Sequence, residues 1–145
     1  MTDETVTAAN VAPVTTGSNR TRIKQGTYGA TVTAGQSLAL QTDGMWDPAD
    51  CDASAVLSGS GGTGISLNGG AANQPADIVA GGEYDPGFTA TEGVIYVYSG
   101  TAGGIAPVGD LGTGDWVVII GVGNSDGNID VLPGGPFYSG SQVQA

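Results

Sequence analysis

A small all-β domain, a barrel (β-tulip-like) or sandwich of short strands with at most one short helix, is the fold class this sequence predicts. Three observations carry that expectation. Glycine fills 27 of 145 positions, where roughly 10 would be usual. Charged residues make up 12% of the chain, well below the share of about 25% in ordinary soluble domains. From Tyr28 onward, seven short apolar runs recur, each bounded by glycine or aspartate, with no sustained helical period between them. That is the pattern of strands joined by tight turns. A chain of 145 residues suits one domain able to bury roughly two thirds of its unfolded surface. Its 39% apolar share and two tryptophans set it apart from a disordered low-complexity chain, which could not offset its ordering entropy.

Taken in order, residues 1–25 differ from the rest. The stretch "TVTAANVAPVTTGSNRTRIKQG" scatters Val and Thr around one Pro without a period, which predicts an extended N-terminal arm. A single β-rich domain then spans 26–145. Its strands are expected in "YGATVTAG", "SLALQTDG", "GISLNGG", "ADIVAGG", "VIYVYSG", "DWVVIIGVG" and "NIDVLPGG". Asp47 is expected to cap a short helix over residues 48–57, with Pro48 at its first position and Asp50 facing back to the cap. Residues 94–99 and 116–122, almost unbroken runs of β-branched and aromatic side chains, are expected to be the central strands, buried on both faces. Asp126-Gly127 lies between two apolar runs and predicts a two-residue hairpin loop, because that turn needs positive φ at its glycine.

Charge narrows the function. All three basic residues, Arg20, Arg22 and Lys24, lie within five positions, and twelve acids follow them with no further base. A net charge of −11 repels phosphate backbones and anionic lipid, so neither nucleic acid nor a membrane is expected as partner. "TDETVTAANV" after Met1 has neither a basic nor an apolar leader region, and no apolar run reaches the eighteen or so residues of a membrane span. Synthesis and folding in a cytoplasm are expected. With no histidine in the chain, Ser-His-Asp and Cys-His sites are excluded, and Cys51 reads as a small buried residue.

The motifs that resemble cofactor or metal sites have plainer explanations. "GSGGTG", residues 59–64, matches the spacing of a dinucleotide-binding loop, yet it runs into the strand-like "ISLNGG" where that loop requires a helix. "GTAGGIAPVGDLGTGD", residues 100–115, lacks the lysine and the helix of a P-loop, and Asp110 and Asp115 would repel phosphate. It reads as a long connection whose turns use Gly103 and Gly104. Asn124, Asp126, Asn128 and Asp130 alternate as in a calcium loop, but the glycine, Gly127, is misplaced and the bidentate Glu is missing. Asp47, Asp50 and Asp52 are accounted for by the expected helix cap. Two-carboxylate hydrolysis finds no paired acids. No cofactor, no metal and no catalytic residues are expected, and the protein is not expected to be an enzyme.

Three stretches carry a family resemblance: "AGQSLALQTDGMWDPADCD", then "GISLNGGAANQP", then "GVIYVYSGTAGGIAPVGDLGTGDWVVIIGVGNSDGNIDVLP". Their ordered marks are a glycine-led strand, a tryptophan before an "AD" dipeptide, a "GIxL" strand, a tyrosine-rich strand, "AGGIAP" and a "GDWVxxIGV" strand. Over roughly residues 26–133 the chain resembles the head decoration, or cement, proteins of tailed bacteriophages. The resemblance implies a small β-rich virion protein on the outer capsid surface, commonly a homotrimer, that clamps neighbouring major capsid subunits.

Within that reading Arg20, Arg22, Ile23 and Lys24 are expected to help dock onto a capsid subunit, being the only cations of an acidic protein together with the isoleucine among them. The aromatics Trp46, Tyr96, Tyr98 and Trp116 are expected in the core or at a subunit contact. The alternative function is a tail-fibre, spike or other glycan-binding β-domain, which would expose aromatics drawn from Trp46, Tyr84, Phe88, Tyr96 and Tyr98 on one β-face.

Overall fold

Alternating inward and outward side chains in "PADIVAGGEYDP" form one twelve-residue strand, Pro75–Pro86, on which both halves of the fold are built. The computed structural model describes residues 3–144. In chain order its strands are β1 (Val11–Pro13), β2 (Arg22–Thr27), β3 (Ser37–Leu40), β4 (Trp46–Pro48), β5 (Thr63–Ser66), β6 (Pro75–Pro86), β7 (Ile95–Tyr98), β8 (Ile105–Pro107), β9 (Trp116–Gly123), β10 (Ile129–Val131) and β11 (Phe137–Gln142). One helical turn, α1 (Ala55–Ser58), and 3-10 turns at Ala8–Asn10 and Val108–Asp110 complete the set. The strands pair antiparallel in the order β4-β3-β5-β6-β10-β9-β7-β8, with β1 and β2 also on β6 and β11 on β9. The whole curls into a half-barrel, the all-β fold that the composition predicts.

β6 serves two sheets because it bends at Gly81-Gly82. Both glycines have positive φ, 150° and 80°, and a Cβ on Gly82 would lie 2.1 Å from the Arg20 carbonyl oxygen. Only glycine fits that backbone and that approach. N-terminal to the bend, β6 pairs with β2 and β5; C-terminal to it, with β10 and β1. The glycine pair therefore turns the strand and does not end it, so the strand expected in "ADIVAGG" runs on to Pro86.

The first sheet, β4-β3-β5-β6-β2, closes on itself: Tyr28, just past β2, bridges Trp46, and the Gly29 N–H donates to the Trp46 carbonyl at 2.9 Å. Tyr28, Val32, Leu38, Trp46, Ala76 and Ile78 fill its interior as a minor core. The main core lies between the two sheets and includes Ala39, Ile65 and Val79 from the first, with Tyr96, Tyr98, Val118, Ile120 and Ile129 from the second. Period-2 alternation divides neighbours between the two: Leu38 and Ile78 point to the minor core, Ala39 and Val79 to the main one. Each large apolar side chain so buried contributes about 1.5–3 kcal/mol.

Several local expectations are corrected. "YGATVTAG" forms no strand; Val32 exchanges two backbone hydrogen bonds with Gly70 at 2.8 Å as an isolated bridge, enough to seat its side chain in the minor core. The helix over 48–57 is a single turn at Ala55–Ser58, capped by Ser54, whose hydroxyl accepts from the Leu57 N–H at 3.2 Å. Asp47 and Pro48 belong instead to β4, whose one ladder is with β3 and whose further contact, at Trp46, is a single bridge to Tyr28, so a residue without an N–H is tolerated at Pro48. The hairpin at Asp126-Gly127 forms with a longer loop than two residues. Asn124 N–H donates to the Asn128 carbonyl at 2.9 Å, and the Asn124 side-chain oxygen accepts from the N–H groups of Asp126 and Asn128. Gly127 supplies the positive φ of 79° that closes it.

Residues 94–99 and 116–122 are central, as β7 and β9, but they are not buried on both faces. Ile95 and Val122, paired across them, are 39% and 37% exposed. No described residue covers that face enough to bury them.

Residues 3–25 are largely extended, and they lie along the domain. β1 and β2 both pair with β6, Glu4 N–H donates to the Ile105 carbonyl, and Thr7 N–H donates to the Gly87 carbonyl. β6 has a second edge to fill, and the N-terminal segment fills it.

Candidate functional site

The basic residues divide into two groups. Lys24 points inward from β2 and is half-buried; its ammonium donates to the Thr63 carbonyl at 2.7 Å and sits 4.8 Å from the centre of the Trp46 ring. Burial lowers its pKa, the sign expected of a cation taken from water. Arg20, Arg22 and Ile23 are exposed, Ile23 at 46%.

These three line a groove of about 450 Å³ with Pro13, Val14 and Thr21, in the connection from β1 to β2. That connection is held firmly. Thr21 N–H donates to the Val14 carbonyl at 2.9 Å, Val14 N–H donates to the Thr21 hydroxyl at 2.8 Å, and the hydroxyl donates in turn to the Glu83 carbonyl. Glu83 N–H returns a bond to the Asn19 carbonyl at 2.9 Å. The groove is thus a rigid basic edge beside β6.

The aromatics expected in a core or at a subunit contact lie in or against the two cores. Trp46 is buried over the minor core. Tyr96 is buried and its hydroxyl accepts from the Thr91 N–H at 2.8 Å. Tyr98 is fully buried and ties the sheets together: its hydroxyl accepts from the Gly64 N–H at 2.9 Å and lies 2.7 Å from the Leu38 carbonyl and 2.9 Å from the Gly64 carbonyl, either of which can take its proton. Trp116 is half-buried and stacks on Tyr138 with ring centres 5.7 Å apart. Tyr84 is fully buried, and Phe88 packs on Tyr96 at 5.5 Å.

The turn glycines serve local geometry. Gly103 N–H donates to the Ala49 carbonyl at 2.7 Å, and Gly104 N–H to the Thr101 carbonyl at 2.8 Å. The 100–115 connection carries β8, which pairs with β7.

The acid clusters are engaged in the fold. Asp130 accepts from the side-chain amides of Asn19 and Asn124, Glu83 accepts from the Asn128 amide, and Asp50 accepts from the Asp52 N–H. Among the described residues, no three His, Cys, Asp or Glu side chains come together as a metal cage. Cys51 is buried, and its thiol is pushed up to about 12, first by desolvation and then by the charges of Asp115, Asp52 and Asp50. A thiol held protonated in this way is a poor nucleophile.

The surface that sequence reasoning missed is the outer face of the second sheet. Direct pairing sets Ala106, Val97, Ile119 and Phe137 in one row across β8, β7, β9 and β11, the first two of them buried, with the exposed Ile95 and Val122 in the next. Phe137 is 56% exposed, the most exposed of the large apolar side chains. The signal was present: "WVVIIGV" is apolar at both parities, which fits a strand covered on both faces and equally a strand that offers one face to a partner. Phe137 itself, in "GGPFYSG", lies in a glycine-bounded stretch with no strand period.

Searched against protein-family models and against curated proteins, the sequence matches none.

Proposed function

We propose that this chain is a structural virion protein that binds the outer surface of a phage capsid and cements neighbouring major capsid subunits, working as a homotrimer. The observation that supports the docking role is the groove at Arg20, Arg22 and Ile23. The two exposed arginines of an acidic chain, which carries −11 overall, stand beside an exposed isoleucine on a segment closed on itself by two hydrogen bonds and stitched to β6 by two more. Arginine flanking an apolar contact on a rigid backbone is the composition that concentrates binding energy at protein interfaces. Rigidity lowers the ordering entropy lost on docking. A module that binds only the assembled shell stabilises it by mass action, and linked copies on one lattice raise the effective concentration of each foothold. The sequence resemblance to decoration proteins supplies the identity of the partner.

The test uses shells of the particle whose genome encodes this chain, assembled without it. Purified protein is expected to co-sediment with them, and Arg20→Glu with Arg22→Glu is expected to weaken binding about 10- to 100-fold and to flatten its salt dependence. Absence of co-sedimentation by the unaltered protein, with binding on a glycan array, would replace this reading with the glycan-binding one. That alternative gains nothing from Trp46, Tyr84, Tyr96 and Tyr98, which are all buried.

A further inference from the structure

We infer that Phe137 of one copy seats in an apolar groove on a second copy, formed by Val94, Ile95, Pro107 and Val108. This rests on the self-association half of the reading above and needs no capsid.

The groove, of about 450 Å³, lies at the β7–β8 margin of the second sheet, with Glu4 and Tyr96 also on its walls. Ile95 and Val108 are 39% and 40% exposed beside it. Phe137 stands at the other margin of the same ladder, on β11, three strands away along β8-β7-β9-β11. That separation is on the order of 14 Å, too far for the ring to fill the groove of its own chain. Between them, in the row through Val97 and Ile119, Ile119 is partly exposed while Val97 and Ala106 are buried, so a second copy laid on this face meets no charged side chain in that row.

Charge selects the orientation. At the Phe137 margin, Thr63 accepts from the Lys24 ammonium through its carbonyl and donates through its hydroxyl to the carbonyl of Pro136, the residue before Phe137. Arg22 lies against Gly81 on the same side. The groove margin carries carboxylates: Glu4 lines it, and the exposed Glu92 lies between Thr91 and Gly93, which also line it. Two copies with net charge −11 each repel in most orientations. Docking the cationic margin of one against the acidic margin of the other relieves that repulsion and places Phe137 at the groove.

The experiment is sedimentation velocity on the full chain and two variants, Phe137→Asp and Ile95→Asp. Both altered side chains are partly exposed, and unchanged circular dichroism confirms that each variant folds. The unaltered protein is expected as an assembly whose mass is a multiple of 14.2 kDa. Each variant alone is expected to associate about 30-fold more weakly, the loss of one hot-spot side chain. Mixed together they are expected to form a one-to-one pair, because Phe137→Asp keeps its groove and Ile95→Asp keeps its phenylalanine. A monomeric unaltered protein would overturn both this contact and the proposed trimer. An assembly that survives Ile95→Asp, or a mixture that stays monomeric, would overturn the contact alone and leave self-association standing.

Discussion

The two sheets that share β6 use their faces in opposite ways. The first turns Leu38 and Ile78 into the minor core and Ala39 and Val79 into the main one, so both of its faces are covered. The second turns Tyr98, Val118 and Ile120 inward and leaves Ile95, Val122 and Phe137 facing solvent. Self-closure commits side chains: Trp46 and Lys24, two of the most conspicuous binding candidates in the sequence, are spent on each other and on Thr63. The open sheet keeps its outer residues available. In this chain the half with the richer polar chemistry commits both sheet faces to the fold and keeps only its β1–β2 edge exposed, whereas the half with the plainer aliphatic strands keeps residues of a sheet face exposed.

The largest expected blow to that contrast is Trp46→Ala. Removing the buried indole from a core of six residues should cost about 3–5 kcal/mol. If the halves are separately cooperative, hydrogen exchange will show protection lost at the Leu38, Gly64 and Ile78 amides while the Val118 and Ile120 amides keep theirs. Loss of protection in both would merge the halves into one unit. Next comes Tyr98→Phe, which removes the hydroxyl that joins β7 to β3 and β5. It leaves the Gly64 N–H without its acceptor in a dry site and should cost about 2–3 kcal/mol in chemical denaturation.

The smallest effect is a gain. One Asp47 carboxylate oxygen is buried without a hydrogen-bond partner, and desolvation, with a smaller contribution from Asp43, raises its pKa. A carboxyl whose pKa is higher folded than unfolded destabilises the fold once ionised, and the penalty vanishes below the unfolded value. Asp47→Asn should therefore raise stability at neutral pH by under about 1 kcal/mol, since the group retains contact with water. The gain should fade as the pH falls through the ordinary carboxylate range, as melting curves at several pH values would show.

Much of the fold was legible because it rests on local rules. β3, β7, β9 and β10 fall within the predicted runs and β5 begins one residue before its run, where β-branched residues meet glycine or aspartate. What was not legible depends on tertiary context. "RIKQGT" and "FYSGSQ" become strands because β6 and β9 have edges to fill, a fact absent from their own composition. Gly81-Gly82 reads as a stop and acts as a bend because strands on both sides hold the chain through it. For the candidate site, Arg20, Arg22 and Ile23 were found by charge asymmetry. Lys24 carried the same signal yet turned inward, since strand alternation places it opposite Ile78 on the minor-core side. Phe137 gave no periodic signal and emerged only from its register with Ile119.

The stitched segment before β2 also has a mechanical meaning. A pull on the 14–21 loop along β2 is carried by six antiparallel residue pairs between Arg22–Thr27 and β6. Loaded along the strand axis, those pairs yield together in shear, whereas a crosswise pull would peel them one at a time. A tether anchored there passes its load into the strand common to both sheets, so traction at the arginines is borne by the longest strand in the molecule.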